Sequence, residues 1–151
     1  MGSDRKAADG GRVIVAGVDG SDSSWRATAF AVGLARRQDA LLVLVYVLPL
    51  HSAAIMAGVA WMLAESDLLI AEQLRRRVAD GLACTGEADS LRWEFHVLRA
   101  PDVVAGLTQT ADELRADSVV IGTSRTLRHR LFGSAGVRLV KSGKWPVIVV
   151  P

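Results

Sequence analysis

Cysteine is almost missing from this sequence: Cys84 stands alone. One thiol excludes an internal disulfide and the thiolate sets that hold structural zinc, and within a helical pattern it is expected to be a small buried hydrophobe. Histidine is nearly as scarce. His51, His96 and His129 are scattered, so they propose neither a metal centre nor a triad, and no G-x-S-x-G elbow or H-E-x-x-H pair occurs. No catalytic machinery is visible, and an enzyme is not expected. No apolar run reaches the ~20 residues of a membrane span. The stretch Met1 to Gly11 is polar and glycine-rich where a secretory leader needs an apolar centre. Residues 1–11 are therefore read as a disordered tail, 12–151 as one domain, and the protein as cytoplasmic. Excess charge is absent too: a formal net charge of +2 demands neither nucleic acid nor a membrane as partner.

What is present is apolar. Half of the 151 residues are hydrophobic, enough for a chain of this size to bury roughly 70% of its unfolded surface without staples. Short apolar runs at Val13–Val18, Leu41–Val47, Leu91–Leu98, Ser118–Ile121 and Pro146–Val150 read as five strands, and helical patterns lie between them. The first helix, Ser23 to Gln38, places Trp25, Ala29, Val32 and Ala35/Arg36 at helical spacing, with Ser21, Asp22 or Ser23 to cap it. The second pattern, Ala53 to Ala83, is interrupted by Gly58, with its firm part at Glu65–Val78. Pro101 suits the first turn of a third helix whose Val104, Leu107 and Leu114 face inward, and a fourth runs from about Ser134 to Ser142.

Strand character orders the sheet. Strands covered by helices on both faces read as continuous apolar runs, as strands 1, 2 and 4 do. Strand 3 alternates Leu91, Trp93, Phe95 and Val97 against Arg92, Glu94 and His96, the pattern of a half-exposed margin, and His96 is expected to point to solvent. A five-stranded parallel sheet of order 3-2-1-4-5 with right-handed crossovers satisfies these constraints. The fold class is a three-layer, doubly wound, Rossmann-like α/β sandwich. Its switch point falls between strands 1 and 4, where the Asp19-Gly20-Ser21-Asp22-Ser23-Ser24 loop meets the segment leaving strand 4 at Gly122. Strand 5, at the far margin, is wholly apolar, and a bare edge of that kind is an aggregation hazard. It is expected to pair with its own copy through Pro146–Val150 in a two-fold dimer, or else to be covered by a loop of the same chain.

Val13-Ile14-Val15-Ala16-Gly17-Val18-Asp19-Gly20-Ser21, the Val45-Tyr46-Val47 strand end, Val120-Ile121-Gly122, Gly133-Ser134 and the closing Trp145-Pro146-Val147-Ile148-Val149-Val150 together resemble the universal stress protein family. The match covers nearly everything after residue 11. The resemblance implies the sheet just described, related to the adenine nucleotide alpha hydrolase-like folds, a homodimer through the last strand, and in many members ATP, with Mg2+ accompanying it. It also implies that Asp19 faces the sugar or phosphates and that Val47 or its neighbour lines the adenine pocket. Nucleotide-binding members carry G-x2-G-x9-G-[ST] after strand 4, where glycines let backbone wrap the phosphates. Gly122 matches the first glycine and Gly133-Ser134 the third with its hydroxyl residue. Arg125 stands in place of the second, and the stretch from Arg125 to Gly133 is two residues short of the family spacing.

Two readings stay open at this point. In one, the chain is a stress-response regulator that binds ATP, and Arg125 offers its guanidinium to phosphate oxygens. In the other, Arg125 fills the phosphate space and the chain is a structural or partner-binding dimer. Arg128, His129 and Arg130 form a cationic run that either attracts a polyanion or is a solvated surface. Asp19 has a bland alternative as a turn residue capping its own loop, and Gly122 as a plain strand terminator. The Asp19-Gly20-Ser21 stretch also resembles the D-x-D-G-[ST] motif of haloacid-dehalogenase-like phosphatases, but Gly17 stands where their nucleophilic carboxylate belongs. Gly20 to Ser24 resembles the S-G-G-x-D-S loop of ATP pyrophosphatases without its leading Ser-Gly-Gly. Trp25, Trp61, Trp93 and Trp145 read as core or interface residues, since none lies in an interleaved basic-aromatic motif, and nucleic-acid binding through Arg125 to Lys144 is not expected.

Overall fold

The computed structural model describes residues 11–49, 58, 60–123 and 134–151. Five strands, β1 (Val13–Gly17), β2 (Leu41–Pro49), β3 (Trp93–Ala100), β4 (Ser118–Gly122) and β5 (Val147–Val150), form one sheet of order β3-β2-β1-β4-β5, and every pairing is parallel. Among the described residues four helices connect them: α1 (Asp22–Gln38), α2 (Ala60–Cys84), α3 (Val103–Glu113) and α4 (Ser134–Ser142). The order and direction are those expected from the apolar runs.

Strand alternation divides the apolar runs between two cores. Ile14, Ala16, Val18, Leu42, Leu44 and Val120 face α1 and α2, and meet Ala27, Ala31, Leu74 and Val78 there. Val13, Val15, Val43, Val45, Val47, Val119 and Ile121 face α3 and α4, and meet Val104, Leu107, Ala111 and Leu139. A strand buried on both faces has no polar position to spare, which is why these segments carry unbroken Val/Ile/Leu.

Several local expectations are corrected. The buried face of α1 is Ser23, Ser24, Ala27, Thr28, Ala31, Val32 and Ala35, while Ala29 and Arg36 are exposed. The helix lies close on the sheet through small residues, and the Thr28 hydroxyl satisfies itself by donating to the Ser24 carbonyl at 2.9 Å. The helix α2 is longer than its firm stretch, a single element of 25 residues that begins after Gly58, a turn residue with φ of +72°. Cys84 ends that helix exposed rather than buried, because the buried stripe is Ala71, Leu74, Val78 and Leu82. Pro101 precedes α3 instead of entering it. Asp102 is the cap, its carboxylate accepting from the Ala105 N–H at 2.8 Å, and Leu114 lies just past the helix, half-buried.

The third strand runs two residues later than its alternation suggests. Leu91, Trp93 and Phe95 pack toward α1 and α2 as expected, but Val97 is exposed while Leu98 and Ala100 pack under α3. The buried side therefore changes along the strand. His96 is half-buried, with Nε2 at 2.9 Å from Glu94 Oε2. Trp25, Trp93 and Trp145 are partly buried against the two cores; the Trp61 side chain lies outside the described residues, as do His51, the tail at 1–10 and the cationic run Arg128, His129 and Arg130.

Candidate functional site

The loop joining β1 to α1 is built from short hydroxyl side chains that hold its own backbone. Ser21 caps α1, its hydroxyl oxygen accepting from the Ser24 N–H at 3.2 Å. Ser24, buried, turns its Oγ back to accept from the N–H groups of Asp19 and Gly20, both at 3.2 Å. Asp19 Oδ1 accepts from the Ser21 N–H at 2.9 Å and from the Ser21 hydroxyl at 2.6 Å. Asp19 therefore forms an Asx turn, and its carboxylate remains exposed at the end of β1. Gly20 takes a φ of +85° there, a backbone setting that a side chain would strain, and Leu74 of α2 lies over it.

Strand polarity shows which backbone groups are left over at this end of the sheet. Leu41 N–H donates to Arg12 C=O, and Val45 C=O accepts from Val18 N–H at 2.9 Å, so the odd residues of β2 direct their N–H and C=O toward β1. The even ones turn to β3, as the Leu42 N–H bond to Arg92 C=O shows. Val47 is the next odd residue. The strand β1 has already ended at Gly17, and the Gly20 N–H that would continue the ladder is held by Ser24. Among the described residues, nothing bonds to the Val47 N–H or C=O from the β1 side. The Val47 side chain is buried beneath Gly106, so what Val47 offers the gap is its main chain.

On the other side of β1, Val119 N–H and Thr123 N–H donate to β5, which turns the main chain of Gly122 toward β1. Gly122 also touches α1: a Cβ built on it would lie 2.5 Å from the Ser23 carbonyl. The Asp19 loop, Val47 and Gly122 are thereby gathered around the end of β1, at the switch point of the sheet. Ser134 begins α4, with its side chain outside the described residues, and Arg125 and Gly133 lie outside them altogether.

Two further side chains border this gap: Tyr46, the neighbour of Val47, and Asp67, which no sequence motif marks. Tyr46 points to the α1/α2 side, and burial pushes its phenol up, with the carboxylates of Asp67 and Asp19 adding to the effect. Asp67 comes from α2. It lies one turn before Ala71 on the stripe that continues through Leu74, Val78 and Leu82, it is half-buried, and its Oδ2 is shielded from solvent. The signal was legible: a carboxylate occupies a position that helical periodicity assigns to the core. Among the described residues, no group of three or more His, Cys, Asp or Glu is arranged to hold a metal ion, and no helix is long and apolar enough to cross a membrane.

An open parallel sheet with helices on both faces and its switch point beside β1 defines a Rossmann-like α/β domain. The family model for the universal stress protein family matches residues 11–151, and the chain belongs to that family. The universal stress protein UspA from Lactobacillus plantarum has the same fold, with a TM-score of 0.74 and 24% identity over 93% of this chain and 97% of its own. A universal stress protein solved in complex with cAMP is 26% identical over 93% of this chain and 97% of its own, with a TM-score of 0.70. One from Archaeoglobus fulgidus, solved in complex with dAMP, is 23% identical over 93% of this chain and 98% of its own, with a TM-score of 0.57. No curated protein matches the chain.

Proposed function

We propose that this chain is a non-catalytic, cytoplasmic stress-response regulator that holds an adenine nucleotide beside the end of β1. The observation that carries the proposal is the Val47 main chain. Its N–H and C=O face a gap where β1 has ended, and an adjacent donor and acceptor suit the donor–acceptor edge of a flat base. Asp19, acidic and exposed at the same end, can accept from ribose hydroxyls. The likeness to proteins solved with cAMP and dAMP supports an adenine ligand. Where the ligand is ATP, Mg2+ would arrive on the phosphates, since the described residues offer no carboxylate cage. Nucleotide would act by population shift, changing the surface presented to a partner.

A homodimer through β5 is part of the proposal. The strand is a sheet margin in the described chain, Val149 is exposed, and the groups flanking it are apolar. Gly136 of α4 lies against Val149, and Val137 and Val140 of that helix are exposed. Below the sheet, Arg26 of α1 donates from Nε to the Pro151 carbonyl at 2.7 Å, and Phe30, one turn on, is exposed. A second strand laid antiparallel against β5 would cover all of these and satisfy its open edge.

The alternative, a partner-binding dimer without nucleotide, is favoured by one observation: Ser21, Ser24 and Asp19 already occupy the loop N–H groups of residues 19, 20, 21 and 24. That loop has few donors left for phosphates. The deciding experiment is the absorbance of the supernatant after the purified protein is denatured. Adenine nucleotide released in proportion to protein supports the first reading. Its absence, together with no binding of added ATP, AMP or cAMP, supports the second.

A further inference from the structure

The core-facing stripe of α2 is apolar at Ala71, Leu74, Val78 and Leu82, yet one turn toward its N-terminus it presents Asp67. This acid is not a solvated surface residue. Its Oδ2 is shielded, and its charge, with that of Asp19, bears on the partly buried Tyr46 phenol. Leu74 of the same stripe lies over Gly20, which fixes where this face of α2 passes: across the β1–α1 loop that carries Asp19. Two carboxylates from separate elements are thus brought to the same end of the sheet, beside the residue that precedes Val47.

A carboxylate is only an acceptor. It repels phosphate, and the base edge is already matched by the Val47 N–H and C=O. The part of a nucleotide that offers donors and no negative charge is the sugar, whose vicinal hydroxyls present two O–H groups side by side. We propose that Asp67 is a specificity residue of the crevice, sharing the ribose hydroxyls of a bound nucleotide with Asp19, so that the site selects ribonucleotides. This rests on the nucleotide reading above and goes beyond it by assigning the sugar to a residue of α2. It also sets the direction of the ligand: with the sugar held between two acids, the phosphates turn away toward Gly122 and the start of α4.

The test is a set of calorimetric titrations of nucleotide-stripped protein with AMP, 2′-deoxy-AMP and 3′-deoxy-AMP, using the parent chain and Asp67→Asn. The parent should bind AMP about tenfold or more tightly than at least one deoxy analogue, as expected for a hydrogen bond to a charged acceptor. In Asp67→Asn that preference should fall several-fold, to the remainder that Asp19 keeps, with AMP weakened by a similar factor and the deoxy ligand little changed. Equal weakening of all three ligands, or no change in any, overturns the assignment while leaving nucleotide binding intact. Failure of the parent to bind any of the three overturns the nucleotide reading itself. Melting curves check the fold of Asp67→Asn. Should it fail to fold, Asp67→Ser is titrated in its place, with the same two outcomes.

Discussion

Gly122 and Ser23 meet backbone to backbone. A Cβ on Gly122 would lie 2.5 Å from both the carbonyl carbon and oxygen of Ser23 and 2.8 Å from the Ser24 nitrogen. Neither partner is a side chain that can swing aside, so the end of β4 and the first turn of α1 are in register only with glycine here. Gly122→Ala should destabilise the protein by about 3 kcal/mol, the upper part of the overpacking range, read as a lower urea midpoint. A cost below ~0.5 kcal/mol, the ordinary range for an unconstrained surface site, would show that the two elements are not in contact. This packing role also means that Gly122→Val cannot serve as a probe of ligand binding.

Gly106 tests the burial of the Val47 side chain. A Cβ there would lie 2.6 Å from Val47 Cγ2 and 3.1 Å from Leu98 Cδ1, both ends of side chains that can shift. Gly106→Ala should cost about 1–3 kcal/mol, and Val47→Ala should relieve part of it in the double variant. Additive losses in a double-mutant cycle, with coupling under ~0.5 kcal/mol, would contradict the contact.

Ser24 holds the β1–α1 loop through two N–H groups at once. Ser24→Ala leaves both without their acceptor at a buried position and should cost about 1–3 kcal/mol. The same substitution frees the Asp19 and Gly20 N–H groups, so hydrogen exchange at these two amides should quicken. Unchanged exchange there would mean that the serine is not their acceptor.

Asp102 gives a pH signature. Its carboxyl is held below the usual carboxylate range, first by the Ala105 N–H and then by the Arg138 guanidinium at 2.9 Å. A folded pKa below the unfolded one means that this stabilisation is present above the unfolded value and lost as pH falls through the folded one. The stability difference between the parent and Asp102→Ala should therefore be steady, about 1 kcal/mol, near neutral pH. It should shrink as pH drops below ~4, the ordinary range of an aspartate. A difference that grows on acidification would reverse the assignment.

At the sheet margin, Val149→Lys places a charge on the exposed edge of β5. In sedimentation at micromolar concentration the parent should run as two chains and the variant as one. A parent that runs as a single chain removes the β5 dimer.

Much of this architecture was legible in the chain because parallel strands buried on both faces leave no choice of residue: the runs at Val13, Leu41 and Ser118 could only be central. Alternation in strand 3 likewise marked a margin. The phase of α1 was legible in part: Val32 and Ala35 lie on its buried face and Trp25 packs beside it, but most of the contact face is alanine, serine and threonine, which helical spacing does not separate from exposed positions such as Ala29. The end of β2 was half-legible. Val47 was found, but its contribution is main chain, which no side-chain pattern encodes, and it becomes visible only when β1 is seen to stop at Gly17. Asp67 belongs to no motif, and within the Ala53 to Ala83 stretch only its place one turn before the buried stripe of Ala71, Leu74, Val78 and Leu82 sets it apart.

The most direct test of the account is the Val47 amide. Followed by hydrogen exchange in the free protein, it should exchange rapidly despite lying within a strand of a buried sheet, and saturating ATP or AMP should slow it by about tenfold or more, as a newly formed hydrogen bond requires. A Val47 amide already protected without ligand, or one that nucleotide leaves unchanged, would contradict the claim that its main chain is what the crevice offers a base.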